Sequence, residues 1–161
     1  MKNTGFTLIE LLICSAVLCI LLVLSVPLGL DLYQKNRAEI IAGEIENAVR
    51  FARNHAFRND VPMTLNPLSD SGDWSRGMVL FVDNPEHHFT AHDKIIHQWQ
   101  WNYSGVQVTW KGFRSSNYIT FSPILRQATA NGQFNIATSR EFQKQLVVNR
   151  LGSVRPLAKV Y

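Results

Sequence analysis

Two groups of side chains in this chain have types and positions that could do chemistry. The first is a single carboxylate, Glu10. From Phe6 to Leu30 it is the only charged residue among Leu, Ile, Val and Ala with a few Ser, Thr, Gly and Cys. A carboxylate deep in a membrane helix costs roughly 2.5–3.5 kcal/mol on insertion scales and marks function. Glu10 finds no partner in the apolar neighbourhood of its own helix, so a cation would have to be brought to it. In a low-dielectric setting such a pair attracts, while either charge alone is costly. The second group is basic: Arg150, Arg155 and Lys159 spread over a Gly- and Pro-containing tail, with Arg126, Arg140 and Lys144 upstream. Such a segment can follow a phosphate backbone without reading bases.

Charge is divided unevenly. Asp31 to Asp93 holds six basic and ten acidic residues, a net of −4, while Lys94 to Tyr161 holds nine basic and one acidic, a net of +8. A polyanion partner is the functional expectation from that asymmetry, set against neutralisation by the acidic half or by neighbouring subunits. Other constellations carry less. His87, His88, His92 and His97 suggest metal, but their spacing fits no tight structural site and no cysteine is near, so a polar surface loop is expected. Asp70, Asp73, Asp83, Glu86 and Asp93 match no calcium-loop pattern. Both cysteines, Cys14 and Cys19, lie in the apolar N-terminal stretch and read as small buried helix residues. Neither G-x-S-x-G, a P-loop, G-x-G-x-x-G nor H-E-x-x-H occurs, so neither an enzyme nor a cofactor is expected. Trp74, Trp99, Trp101 and Trp110 fall mostly on apolar strand faces and read as core, a base-stacking platform being the alternative for one of them.

These residues need elements to position them. Phe6 to Leu30 as helix would rise about 37 Å, enough to cross a hydrocarbon core of roughly 30 Å. Its length, and the absence of an A-x-A-like site, set it apart from a secretory signal peptide. Pro27 with Gly29 predicts a kink, a melted turn or the end of the span. Apolar spacing continues through Ile40, Ile41, Ile45, Ala48, Val49, Ala52 and Ala56, and Asp60-Val61-Pro62 stops it. Beyond Pro62 the period becomes two. Strands are expected at Met63–Leu65, at Met78–Val82, and at Ile95, His97, Trp99 and Trp101 alternating against Ile96, Gln98 and Gln100. Further strands are expected around Val106–Trp110, Ile119–Phe121, Phe134–Ile136, Leu146–Val148 and Val154. The fold class is α+β: one long helix followed by antiparallel strands.

Gly5-Phe6-Thr7-Leu8-Ile9-Glu10-Leu11-Leu12 resembles the processing signal of type IV pilins and type II secretion pseudopilins. The resemblance implies cleavage between Gly5 and Phe6 by a prepilin peptidase, methylation of the Phe6 amine, and pairing of Glu10 with that amine in a neighbouring subunit. Asn47–Ala56, the pattern W-x-x-G-x-x-x-F-x-D at Trp74–Asp83, and Leu146–Arg155 are similar to the GspH/FimT family of minor pilins and pseudopilins. That implies the type IV pilin fold, with a helix that is transmembrane in its first half and packed on antiparallel β-sheet. It also implies a leader at 1–5, an assembly helix at 6–30 in the bacterial inner membrane, and a periplasmic or extracellular domain at 31–161. Partners would be other pilin or pseudopilin subunits. FimT-type tails carry a G-R-x-R motif implicated in DNA binding. Here Gly152 is followed by Ser153, Val154-Arg155 matches, and Arg150 stands two residues upstream. The expected role is a FimT-like minor pilin that binds double-stranded DNA for uptake. The alternative is a GspH-type pseudopilin with an assembly role alone.

Overall fold

The computed structural model describes residues 7–69, 72–101, 103–124, 126–139 and 143–157, with 24–28 described by backbone alone. Gly5, Phe6, Asp70, Arg140 and Lys159 lie outside the described residues.

Helix α1 spans Leu8–Asn59, 52 residues, so it is about 78 Å long at 1.5 Å per residue. Its start is a reciprocal capping box. The Thr7 hydroxyl accepts from the Glu10 N–H at 3.4 Å, and the Glu10 carboxylate accepts from the Thr7 N–H at 3.3 Å and its hydroxyl at 3.2 Å. Glu10 therefore has partners within its own helix, contrary to the sequence expectation: three residues apart, N-cap and N3 side chains meet regardless of the apolar run around them. The helix runs unbroken past Pro27, so no turn is melted there. It stops at Asp60, whose φ of 54° turns the chain left-handed while its N–H donates to Ala56.

The two halves of α1 differ in what they touch. From Leu8 to Val23 every side chain is exposed in the isolated chain, Cys14 and Cys19 included. Among the described residues no helix is long and apolar enough to cross a membrane. The segment expected to do so, 6–30, includes Phe6 and the side chains of 24–28, which are outside the described set. The second half buries Ala38, Ile41, Ala42, Ile45, Ala48, Val49, Ala52 and Ala56. Ile40, expected on this stripe, is half exposed because 3.6-residue geometry places Ala38 and Ala42 there instead. Alanine at five of those eight positions lets the helix seat closely on the strands.

Among the described residues eight strands follow: β1 (Met63–Pro67), β2 (Gly77–Val82), β3 (Ile95–Gln100), β4 (Val106–Gly112), β5 (Ile119–Phe121), β6 (Gly132–Thr138), β7 (Gln143–Val148) and β8 (Val154–Pro156). They form two antiparallel four-stranded sheets, in the orders β3-β2-β1-β5 and β4-β6-β7-β8. Both sheets face α1 around one core, in which Phe134 lies against Trp74 (5.5 Å between ring centres) and Trp110 (4.6 Å). Val106, Val108, Trp110, Phe134, Ile136, Leu146 and Val148 point inward from the second sheet, and the intervening residues point out.

Strand β3 departs from its expected alternation. Its pairing with β2 slips between Leu80 and Phe81, so Leu80 opposes His97 and Phe81 opposes Ile95. The extra residue, Ile96, packs on the core while Ile95 is 47% exposed. A bulge resets the face on which later side chains emerge. Trp101 is buried just beyond the strand, and Trp99 is half-buried beside Phe51 and His97.

Candidate functional site

The outer face of the second sheet puts Lys111, Gln133, Val147 and Arg155 in one cross-strand row. At a strand spacing of about 4.8 Å, Lys111 and Arg155 stand roughly 14 Å apart across three steps. One row further, the sheet ends and its connections gather. The β4–β5 loop brings Phe113 and Arg114, held by the Phe113 N–H donating to Asn131 at 2.8 Å and by Trp110 Nε1 donating to Ser115 at 2.9 Å. The β7–β8 turn brings Arg150. Its backbone closes through Gly152 N–H to the Asn149 carbonyl (2.8 Å) and Ser153 N–H to the Asn149 side chain (2.8 Å).

Gly152 is required by geometry rather than by a ligand. Its φ is +71°, and a Cβ there would sit 3.0 Å from Phe121 and 3.1 Å from Arg53. The glycine of the tail segment is thus explained by the turn it closes, which presents Arg150 at the apex.

Two clefts join these loops. A small one of about 140 Å³ lies between Phe113, Arg114, Asn131 and Arg150. A larger one of about 530 Å³ lies between Asp83, His87, Arg114, Tyr118 and Arg126. Arg114 borders both. Among the described residues, Arg114, Arg126, Arg150 and Arg155 form no ion pair. Arg126, Arg150 and Arg155 are exposed.

The remaining sequence candidates are placed elsewhere. Lys144 pairs in register with Ile136, on the inner face of the sheet, and its ammonium is held by Glu39 of α1. It is brought to the helix, not to the arginines. Glu10 is the N3 residue of α1, at the opposite end of the molecule. Gly5, Phe6, Arg140 and Lys159 are outside the described residues. Among the described residues no three His, Cys, Asp or Glu side chains converge to hold a metal ion. His97 packs at a tilt against Phe51 and edge-on to Trp99, with ring centres at 5.3 and 4.3 Å.

Two site features are not legible in the sequence, the place of Arg114 and the pairing of Asp83 with His87. Arg114 was only one of nine basic residues in its half, and no spacing tied it to Arg150 thirty-six positions later. Asp83 and His87, four apart in a loop, pair at 2.8 Å, which could have been suspected only if a turn were assumed there. That loop is organised by Asp93, which accepts from the Thr90 N–H and hydroxyl (both 2.8 Å) and from Asn84 (3.1 Å). The Thr90 bonds, then Asn84 and the nearby His92, hold the Asp93 carboxyl below the usual range.

Comparison with known proteins gives the chain a family and its fold relatives. The family model described as type II transport protein GspH matches residues 42–152, and the prokaryotic N-terminal methylation motif matches residues 1–26. No curated protein matches the sequence. A crystal structure of the Pseudomonas aeruginosa PAO1 type IV minor pilin FimU, in space group P21, is 15% identical. The match covers 78% of this chain and 91% of that one, with a TM-score of 0.59. The same pilin in space group P65 is 16% identical over 74% and 92%, with a TM-score of 0.55. At such identities the likeness is one of fold.

Proposed function

The chain belongs to the GspH family of type IV pilin-like proteins, and from that premise we propose that it is a FimT-like minor pilin whose basic end binds double-stranded DNA non-specifically during uptake. The observation carrying this reading is the convergence of Arg114, Arg126 and Arg150 on two adjoining clefts without carboxylate partners, with Arg155 and Lys111 on the next row. Guanidinium groups so arranged can contact phosphate oxygens along a duplex, and such contacts position a protein without specifying sequence. The role is binding and hand-over, with no chemistry performed.

Delivery follows from the other end. Prepilin peptidase would cut between Gly5 and Phe6, the new amine would be methylated, and 6–30 would hold the chain in the inner membrane with 31–161 in the periplasm. The exposed apolar half of α1 is the surface that lipid, and later neighbouring subunits, would cover. Glu10 would pair with the Phe6 amine of the subunit beside it.

The test is DNA binding by the full-length protein in detergent micelles. Changing Arg150, Arg155 and Lys159 together to Ala should collapse affinity, and unaltered affinity would remove the tail from the site. The family description itself favours a second reading, a pseudopilin of type II transport with an assembly role only. Absence of DNA binding even at low salt would select it.

A further inference from the structure

The larger cleft contains a device that generic duplex binding does not need. His87 holds a left-handed backbone, φ 52°, unusual for a residue with a side chain. Its Nδ1 lies 2.8 Å from Asp83 Oδ1, and the Thr64 hydroxyl donates to that same oxygen at 2.6 Å. Its ring stacks on Tyr118, at 4.7 Å between centres and 26° between planes. The imidazole is therefore fixed on one side by a carboxylate and on one face by an aromatic ring, which leaves Nε2 as its free polar atom.

Charge decides what such a cleft takes. Among the described residues, the titratable groups facing it are Asp83, His87, Tyr118, Arg114 and Arg126. Asp83 is the sole carboxylate among them, its side chain is only 12% exposed, and its oxygen is already engaged by His87 and Thr64. The two guanidiniums have no such engagement, so the opening is cationic. It repels metal ions and suits a compact oxyanion that two Arg forks can share. Pro62 borders the cleft just past the end of α1, about 78 Å along the helix from its start. A lipid headgroup at the anchored end is thus out of reach.

We propose that the His87–Arg114–Arg126 cleft is a discrete binding site for one phosphate group. Its source, a duplex backbone or a free phosphate, is what the experiment separates, and only the backbone source rests on the DNA reading above. The full-length protein, labelled with ¹⁵N-histidine and held in phosphate-free detergent solution, is titrated with inorganic phosphate against sodium chloride at equal ionic strength. A saturable, phosphate-specific shift of the His87 ring resonances is expected. Arg114→Gln and Arg126→Gln should each weaken it about tenfold, since a hydrogen bond to a charged group contributes about one decade or more. Lys at either position should restore part of the loss. A non-saturating response equal to that of chloride overturns the proposal, as does full retention of binding when both arginines are Gln. A blunt-ended duplex without terminal phosphates is the second arm. If it shifts His87 and added phosphate displaces the duplex, leaving the shift seen with phosphate alone, the backbone is the source. If phosphate shifts His87 and the duplex does not, the site stands as one for free phosphate. Duplex binding that fails altogether while phosphate binds refutes the uptake reading and leaves the cleft intact.

Discussion

The salt dependence of DNA affinity tests whether the structure has sorted the basic residues correctly. Each phosphate neutralised by a cation contributes about −0.9 to the slope of log K against log salt. Among the described residues of the basic end, the guanidiniums of Arg114, Arg126, Arg150 and Arg155 form no ion pair. Their joint slope of about −3.6 implies roughly a 150-fold loss of affinity between 50 and 200 mM salt. Arg150→Gln with Arg155→Gln should reduce that to about 12-fold. Lys111, Lys159 and Arg140 would add equally to both proteins, so the difference in slope, about 1.8, survives whatever they contribute. Lys144→Gln is the internal control, because its ammonium is already engaged by Glu39 on the inner sheet face. It should leave the slope unchanged. Fluorescence anisotropy of a labelled duplex, read with the full-length protein in micelles over that salt range, supplies the slopes. Equal slopes for parent and double variant refute the assignment of Arg150 and Arg155. A drop for Lys144→Gln as large as for an arginine refutes the sorting itself.

Three further outcomes are expected. Gly152→Ala forces a side chain into a left-handed turn against Phe121 and Arg53, so it should cost about 1–2 kcal/mol and lower the thermal midpoint by several degrees. Glu10→Gln keeps the capping box but removes the charge. If Glu10 acts by pairing with the Phe6 amine, Gln should block incorporation into filaments as fully as Ala; if it acts only as a cap, Gln should assemble like the parent. Asp93 has its carboxyl held low in the folded state. Its contribution to stability is therefore present above the ordinary carboxylate value of about 4 and is lost as pH falls through the lower folded one. Acid titration of the unfolding midpoint should show that loss in the parent, and Asp93→Asn should lack it.

Much of the fold was legible because local periodicity reports local structure. The change from period 3.6 to period 2 at Asp60-Val61-Pro62 placed the end of α1 and the start of β1. Each expected strand centre falls within an observed strand, because inward residues such as Val106, Val108 and Trp110 alternate with polar ones. The N-terminal methylation motif needed no folding to be read, since it is a contiguous string. Where periodicity misled along β3, a non-local cause was at work: the β2–β3 bulge put Ile96 on the core in place of Ile95.

The basic end divides along the same line. The sequence by itself determined that the second half of the chain is strongly cationic, and it marked Arg150 and Arg155. It could not separate Lys144 from them, because the pleat that turns Lys144 inward toward Glu39 depends on strand register. Nor could it join Arg114 to Arg126 and Arg150, which meet only because β4, β6, β7 and β8 end at one edge and their loops close over it. Charge is a property of composition and survives any fold. Which charges stand free is set by pairing across strands and helix, and that is decided only in three dimensions.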